Sequence, residues 1–176
     1  FEGDGLNESH PFSFSSAHDD EMIRFTVKNL GDYTNKLYQL IVGTNCTITG
    51  PYGSFSSKFF GNKDVICIAG GIGITPFVSM IRHESKHKQN RNIKLFYFAK
   101  DVSNPMYGNY FEDVKNILPN FEYFYNCGDI FKNMASLDNK TFYICGPREM
   151  MVNYKNQLNK HGVNDNDIIF EDFNFK

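Results

Sequence analysis

Gly70-Gly71-Ile72-Gly73-Ile74-Thr75-Pro76 sets three glycines within four positions directly before a threonine and a proline. That pattern suits a phosphate. Glycines let a backbone approach a ligand closely, and a helix N-terminus offers unpaired N–H groups and the positive end of its dipole. Upstream, Val65 to Ala69 is apolar without polar alternation, as in a strand buried on both faces of a parallel sheet. Thr75 is a natural N-cap and Pro76 a natural first helical residue, so strand passes into helix within a few residues. The motif departs from G-x-G-x-x-G, because Pro76 stands where the last glycine would fall and no acidic residue closes the second strand at the usual distance. A standard dinucleotide dehydrogenase is thereby disfavoured, and a glycine-rich turn without ligand is the competing reading.

Other segments carry possible chemistry. His10-Pro11-Phe12-Ser13 opens the chain's first half, where an aromatic beside a hydroxyl suits a flat heteroaromatic ring needing stacking and one hydrogen bond. The same residues would serve as a proline-bounded edge strand with a core phenylalanine. Gly31-Asp32-Tyr33-Thr34 precedes apolar residues at helical spacing, so Thr34 could cap a short helix and make a second phosphate site, or simply a capped loop. Cys145-Gly146-Pro147 repeats the strand, glycine, proline-started helix logic, which would put Cys145 at a strand tip; a lone cysteine there is usually an inert small hydrophobe. In the tail, Glu171 and Asp172 are neighbours that an extended chain points to opposite faces, a poor acid/base pair, and the aromatics that follow would seal a core edge or cover a flat cofactor. His83-Glu84-Ser85-Lys86-His87 literally satisfies H-E-x-x-H. Its continuation, Lys88-Gln89-Asn90-Arg91, is that of a solvated helix end rather than a metalloprotease site, so no metal is expected.

The elements that must position these residues divide the chain near Gly61-Asn62-Lys63. In residues 1–60, short β-like runs (Pro11 to Ser16, Ile23 to Lys28, Asn45 to Thr49) alternate with turns, and Ile23, Phe25 and Val27 alternate with polar residues as in a half-buried antiparallel strand. In residues 61–176, strands at Val65–Ala69, Ile93–Ala99, Phe121–Tyr125, Thr141–Cys145 and Ile168–Phe170 alternate with helices at Pro76–His87, Tyr107–Ile117 and Pro147–His161. That order predicts an α/β fold, a parallel five-stranded sheet with helices on both faces, preceded by part of an antiparallel β-barrel. Ligands of such sheets sit at the carboxyl ends of the strands, where both glycine turns fall.

Composition excludes several classes. Twenty acidic against eighteen basic residues, with no basic block, give no reason to expect nucleic acid. No apolar run approaches the ~20 residues of a membrane span, and no signal peptide is evident. Cys46, Cys67, Cys127 and Cys145 are widely spaced, so zinc and iron–sulfur readings fail and a reducing, cytoplasmic compartment is the default. The chain starts Phe1-Glu2, as a fragment or processed piece would.

Taken in order, His-Pro-Phe-Ser, Gly-x-x-Thr, Gly50-Pro51-Tyr52-Gly53, Gly-Gly-x-Gly-Ile-Thr-Pro, Cys-Gly-Pro and a carboxyl-terminal aromatic resemble the ferredoxin-NADP reductase superfamily, nearest its ferric reductase and NADPH oxidase branch. The resemblance runs from His10 to Phe175. It implies FAD and NADH or NADPH as cofactors, hydride transfer from nicotinamide to flavin, and single-electron steps to ferric iron or haem in an upstream membrane domain. It implies that Phe12 stacks on the isoalloxazine, that Ser13 bonds near the reactive N5, and that His10, with Pro11, takes the place of an FAD-contacting arginine. Gly31 and Thr34 would hold the FAD pyrophosphate. Gly70, Gly71, Gly73, Thr75 and Pro76 would line NAD(P)H, with Cys145 and Gly146 beside the nicotinamide; Ser13 and Cys145 are the expected catalytic contacts. Phe173 would cover the flavin, with Phe175 second. The residues after the second and third strands, Ala99-Lys100-Asp101 and Asn126-Cys127-Gly128, hold no arginine for a 2′-phosphate, which favours NADH. With only residues 1–60 for the flavin barrel, its amino-terminal strands are expected to be missing, so the alternative is a nucleotide-binding fragment without independent activity.

Overall fold

The structure, a computed structural model, describes residues 1, 6–61, 63–88, 91–101, 103 and 105–171. Five strands, β1 (Asp64–Gly70), β2 (Ile93–Phe98), β3 (Phe121–Tyr125), β4 (Lys140–Cys145) and β5 (Ile168–Glu171), form one sheet in the order β3-β2-β1-β4-β5. All four pairings are parallel. The chain steps outward from β1 through β2 to β3, then crosses back to place β4 on the other side of β1. The strand order therefore reverses between β1 and β4, the place where open α/β sheets leave a crevice for ligands.

Alternation along the strands builds two cores. Val65, Cys67 and Ala69 of β1 face one way, with Leu95, Tyr97, Tyr143 and Cys145, and meet helix α1 (Thr75–His87) and helix α2 (Gly108–Ile117) through Phe77, Val78, Ile81, Phe111 and Val114. Ile66 and Ile68 face the other way, with Phe96, Phe142 and Ile144, and meet helix α3 (Arg148–Lys160) through Met151 and Leu158. This is why β1 reads as an unbroken apolar run. Both of its faces are covered.

The five strands and three helices fall where the periodicity places them, with end shifts of a few residues. Two helix starts differ in their chemistry. Gly71–Ile74 forms a 3-10 turn that runs straight into α1, so Ile74 is the N-cap, and the Thr75 hydroxyl donates back to the Ile72 carbonyl at 3.0 Å rather than capping forward. Pro147 is extended and stands as the N-cap of α3, not as its first helical residue.

The first half is less regular than its alternation predicts. Pro11–Ser16 and Ile23–Lys28 do run antiparallel, but their pairing is a single bridge, Phe14 to Phe25, with Ser15 N–H bonded to the Arg24 carbonyl at 2.8 Å. Ile23, expected to be half-buried, is exposed, and Asn45–Thr49 forms no strand and is exposed too. A strand needs a ladder with a neighbouring strand, and this segment takes part in no strand pairing among the described residues. Thr34–Gln39 is a 3-10 helix after Tyr33, with no side-chain cap; the Thr34 hydroxyl instead accepts from Leu30 N–H at 2.8 Å and donates to the Gly31 carbonyl at 3.2 Å. The two halves are nonetheless tied together. Ser79 of α1 donates to the Ser16 carbonyl at 2.6 Å, Thr26 and Tyr107 share a hydroxyl hydrogen bond, and Phe55 packs edge-on against Phe77 and Tyr143.

Candidate functional site

The turns that follow β1 and β4 are packed backbone on backbone, and the glycines are what permits it. A β-carbon on Gly73 would fall 2.7 Å from the Gly146 nitrogen. One on Gly146 would fall 2.9 Å from the Gly70 Cα, and one on Gly70 would meet Met150 Sδ at 2.6 Å and Pro147 Cδ at 2.8 Å. Distances below 3 Å leave no room for any side chain. Gly71 differs: its φ of +54° is left-handed and a β-carbon there would meet nothing within 4 Å. Three of the four glycines therefore hold the crevice together, and Gly71 faces open space with a backbone geometry that favours glycine.

Cys145 is the last residue of β4, one step before this contact, and is fully buried. Burial, reinforced by the Glu171 carboxylate, pushes its thiol well above the ordinary range. Burial therefore favours its neutral sulfhydryl form. Glu171 is its register partner on β5, and burial raises this carboxyl too. Its Oε1 comes within 3.2 Å of where a β-carbon of Gly53 would sit, so the Gly50–Gly53 turn, which carries a cis Gly50–Pro51 bond, reaches the same end of the sheet. Sequence reasoning set Glu171 aside as half of a poor pair with Asp172. Its signal was the β4–β5 register, which adjacency in the chain does not reveal.

The motifs of the first half form a second group. The His10 ring lies 3.7 Å from that of Tyr33 between centroids, so the His-Pro-Phe-Ser and Gly-x-x-Thr segments are neighbours. His10 Nε2 is 3.0 Å from Glu8 Oε2. Phe12 and Ser13 are half-buried, with Phe12 at 6.2 Å from Phe25, while Pro11 is exposed. Gly31 has a left-handed φ of +105° and nothing within 4 Å of a β-carbon. An open hollow of about 550 Å³, lined by Asn29, Asp32, Asn35, Lys36, Tyr38 and Gln39, runs along this segment. Phe173 and Phe175 lie outside the described residues.

At the carboxyl end of β2 the backbone is clamped from β3. Asn126, at a φ of +44°, accepts from Ala99 N–H at 2.9 Å and donates to the Ala99 carbonyl at 3.0 Å. Asp101 accepts from the Ser103 N–H and hydroxyl at 2.9 and 2.8 Å, and Lys100 is exposed. Glu84 of the H-E-x-x-H segment is buried against the Arg91 guanidinium, so it cannot serve as a protease base.

Comparison with known proteins decides what these parts belong to. The FAD-binding domain family matches residues 5–97, more than half of the 176-residue chain. The chain belongs to this FAD-binding domain family. The oxidoreductase NAD-binding domain matches residues 67–128, which include the second half of β1, the glycine turn, β2 and β3. With both matches, the chain combines an FAD-binding region with an NAD(P)H-binding region. Its fold is similar to that of a ferredoxin-NADP+ reductase from Plasmodium falciparum, with a TM-score of 0.67 at 18% identity over 92% of the chain and 76% of that one. A flavohemoprotein of Candida albicans is 29% identical over 92% of the chain and 46% of its own length. Ferric reduction oxidase 8 of Arabidopsis thaliana is 30% identical over 62% of the chain and 16% of its own length. The chain thus spans less than half of either relative. Among solved structures, the flavohem-like FAD/NAD binding domain of a nitric oxide dioxygenase from Vibrio cholerae superposes with a TM-score of 0.73 at 16% identity, covering 91% of the chain and 75% of that one. Among the described residues no helix is long and apolar enough to cross a membrane.

Proposed function

We propose that this chain carries reducing equivalents from NAD(P)H through FAD to a one-electron acceptor, ferric iron or haem, in the manner of a ferric reductase. The observation that carries the reading is the closed packing of Gly70, Gly73 and Gly146 at the β1–β4 reversal, with Cys145 and Glu171 immediately behind it.

The residues divide the work between two cofactor faces, with residues 1–60 serving the flavin and 61–176 the nicotinamide. Bound together, nicotinamide and flavin supply a hydride donor and a centre that releases electrons one at a time. Gly71 would present its N–H and bare backbone to the pyrophosphate of NAD(P)H, supported by the amino end of α1 at Thr75 and Pro76. Gly70, Gly73 and Gly146 keep the crevice floor narrow, and Cys145 gives it a neutral, apolar wall that excludes water from the nicotinamide side. Glu171, half-buried beside that wall, would orient the carboxamide edge of the ring. Phe12 would stack on the flavin and Ser13 donate to its reactive edge, His10 with Pro11 would frame it, and Gly31 and Thr34 would hold its pyrophosphate. Phe173 would cover it and move aside for the nicotinamide. At the adenosine end, exposed Lys100 would serve a 2′-phosphate and Asp101 would oppose it, and the lack of an arginine after β2 and β3 tips the balance towards NADH. The acceptor belongs to a separate domain or partner in a membrane, with the present chain on the cytosolic side.

A second reading, nucleotide binding without turnover, draws on the first half. Its pairing is one bridge, and Leu30, Tyr38, Ile41 and Val42 stand exposed. Reconstitution separates the two. The purified chain, incubated with FAD and desalted, should show flavin absorbance that NADH bleaches anaerobically and that ferric citrate restores. A colourless protein that oxidises neither NADH nor NADPH would establish the second reading.

A further inference from the structure

At the far end of α1 from the glycine turn, His83 and His87 stand one helical turn apart, their ring centroids 4.0 Å from each other. The sequence shows that pair. What it does not show is that the loop after Ser16 brings a third imidazole and a carboxylate onto the same spot. The His18 ring lies 4.8 Å from that of His83 and 6.2 Å from that of His87. Asp19 Oδ2 is 3.3 Å from His87 Nε2. One donor atom each from His18, Asp19 and His83 lie within 4.8 Å of one another. Moreover, His83 Nδ1 is buried and makes no hydrogen bond among the described residues, although buried ring nitrogens are ordinarily satisfied.

We propose that His18, Asp19 and His83, with His87 as fourth ligand, bind a divalent borderline metal ion, zinc or a first-row neighbour, that locks the 17–20 loop onto the carboxyl-terminal turn of α1. Three imidazoles and one carboxylate are a donor set that zinc accepts, and an i, i+4 histidine pair is the usual helical contribution to it. Donors around a tetrahedral ion at ordinary zinc bond lengths stand about 3.3 Å apart, so the side chains must close by roughly 1–1.5 Å from their present spread. His18 and Asp19 lie on the exposed side of the cluster.

The loop is already held close. Ser79 bonds the Ser16 carbonyl at 2.6 Å, and Asp20 accepts from Ala17 N–H at 3.0 Å. Lys86 bonds Asp20 at 2.6 Å and Asp19 Oδ1 at 3.3 Å, which leaves Oδ2 directed at the histidines. The ring of Phe60 closes one side, 4.5 Å from His83. The site is structural rather than hydrolytic, because Glu84, the residue that would activate water in an H-E-x-x-H enzyme, is turned into the core against Arg91. A metal here would fasten the loop after Ser16 to the carboxyl-terminal turn of α1, away from the glycine turn that precedes Thr75.

The test uses the untagged chain, stripped with chelator and titrated with Co²⁺ and then Zn²⁺. The expected result is one ion per chain, with the strong visible bands of tetrahedral Co²⁺ displaced by Zn²⁺, and a melting temperature raised by Zn²⁺. His18→Ala and Asp19→Asn, both exposed, should melt like the stripped parent yet bind Zn²⁺ at least about tenfold more weakly. Failure to bind Co²⁺ or Zn²⁺ in the micromolar range would overturn the proposal. So would an affinity unchanged in His18→Ala, since the helical pair alone would then account for binding.

Discussion

Cys145 and Glu171 face each other across the parallel pairing of β4 with β5, a buried thiol and a half-buried carboxyl at the carboxyl edge of the sheet. Both are pushed towards their neutral forms by burial. A neutral thiol that only shapes a wall should influence geometry more than affinity. Cys145→Ala is therefore expected to slow flavin reduction by NADH by about 10²-fold, the usual cost of a misplaced reacting pair, with little change in NAD⁺ affinity. Stopped-flow flavin bleaching beside equilibrium binding measures the two. Equal losses in both would reduce Cys145 to a packing residue.

The glycine turn invites a paired substitution. Gly73→Ala drives a methyl into the Cys145–Gly146 backbone and should destabilise the fold by about 2 kcal/mol or more, as overpacking of a closed contact does. Gly71→Ala meets open space and incurs only the left-handed backbone cost, about 1 kcal/mol. Its loss should appear in nucleotide binding instead. Urea denaturation and NAD⁺ titration of both variants would show whether stability and binding separate in this way.

Arg91 is the anchor of the loop that joins the halves. Its guanidinium pairs with fully buried Glu84, donates to the Phe59 carbonyl, bonds the Gly61 carbonyl at 3.0 Å and lies over the Phe59 ring. Arg91→Met leaves a buried carboxylate without its cation and is expected to cost about 3–5 kcal/mol at neutral pH. Adding Glu84→Met should recover a substantial part, since two apolar side chains need no ion pair. A double-mutant cycle by chemical denaturation checks this; a strictly additive result would contradict the pairing.

Asp64 opens β1, where burial pushes its carboxyl up but Asn92 N–H at 3.0 Å, the Asn92 amide at 2.9 Å and the Lys140 ammonium outweigh burial and hold it below the ordinary range. A carboxyl depressed in the folded state contributes stability that is fully present above its unfolded pKa and is lost as pH falls through the folded value. Asp64→Asn should therefore be less stable than the parent at neutral pH and converge with it as the pH falls below the ordinary carboxylate range. Thermal melts across the acid range measure the convergence, and a gap that widened on acidification would reverse the sign assigned here.

The sequence by itself determined the nucleotide half. Its strands are continuous apolar runs because both faces are covered, its helices carry their own punctuation, and the periods of two and 3.6 are local properties that need no knowledge of neighbours. It also marked the two glycine turns and the order of motifs. Tertiary structure alone decided what each glycine is for, because Gly73 and Gly146 lie far apart in the chain and meet only through the β1–β4 pairing. The same holds for Glu171, placed by the β4–β5 register, and for His18 and Asp19, brought to His83 by a loop with no local signature. In the first half, β-like runs promised strands at Ile23–Lys28 and Asn45–Thr49, but a ladder depends on a partner elsewhere, and among the described residues the pairing is the Phe14–Phe25 bridge. Local pattern sets which elements can form; long-range pairing sets which of them do, and which side chains then share a site.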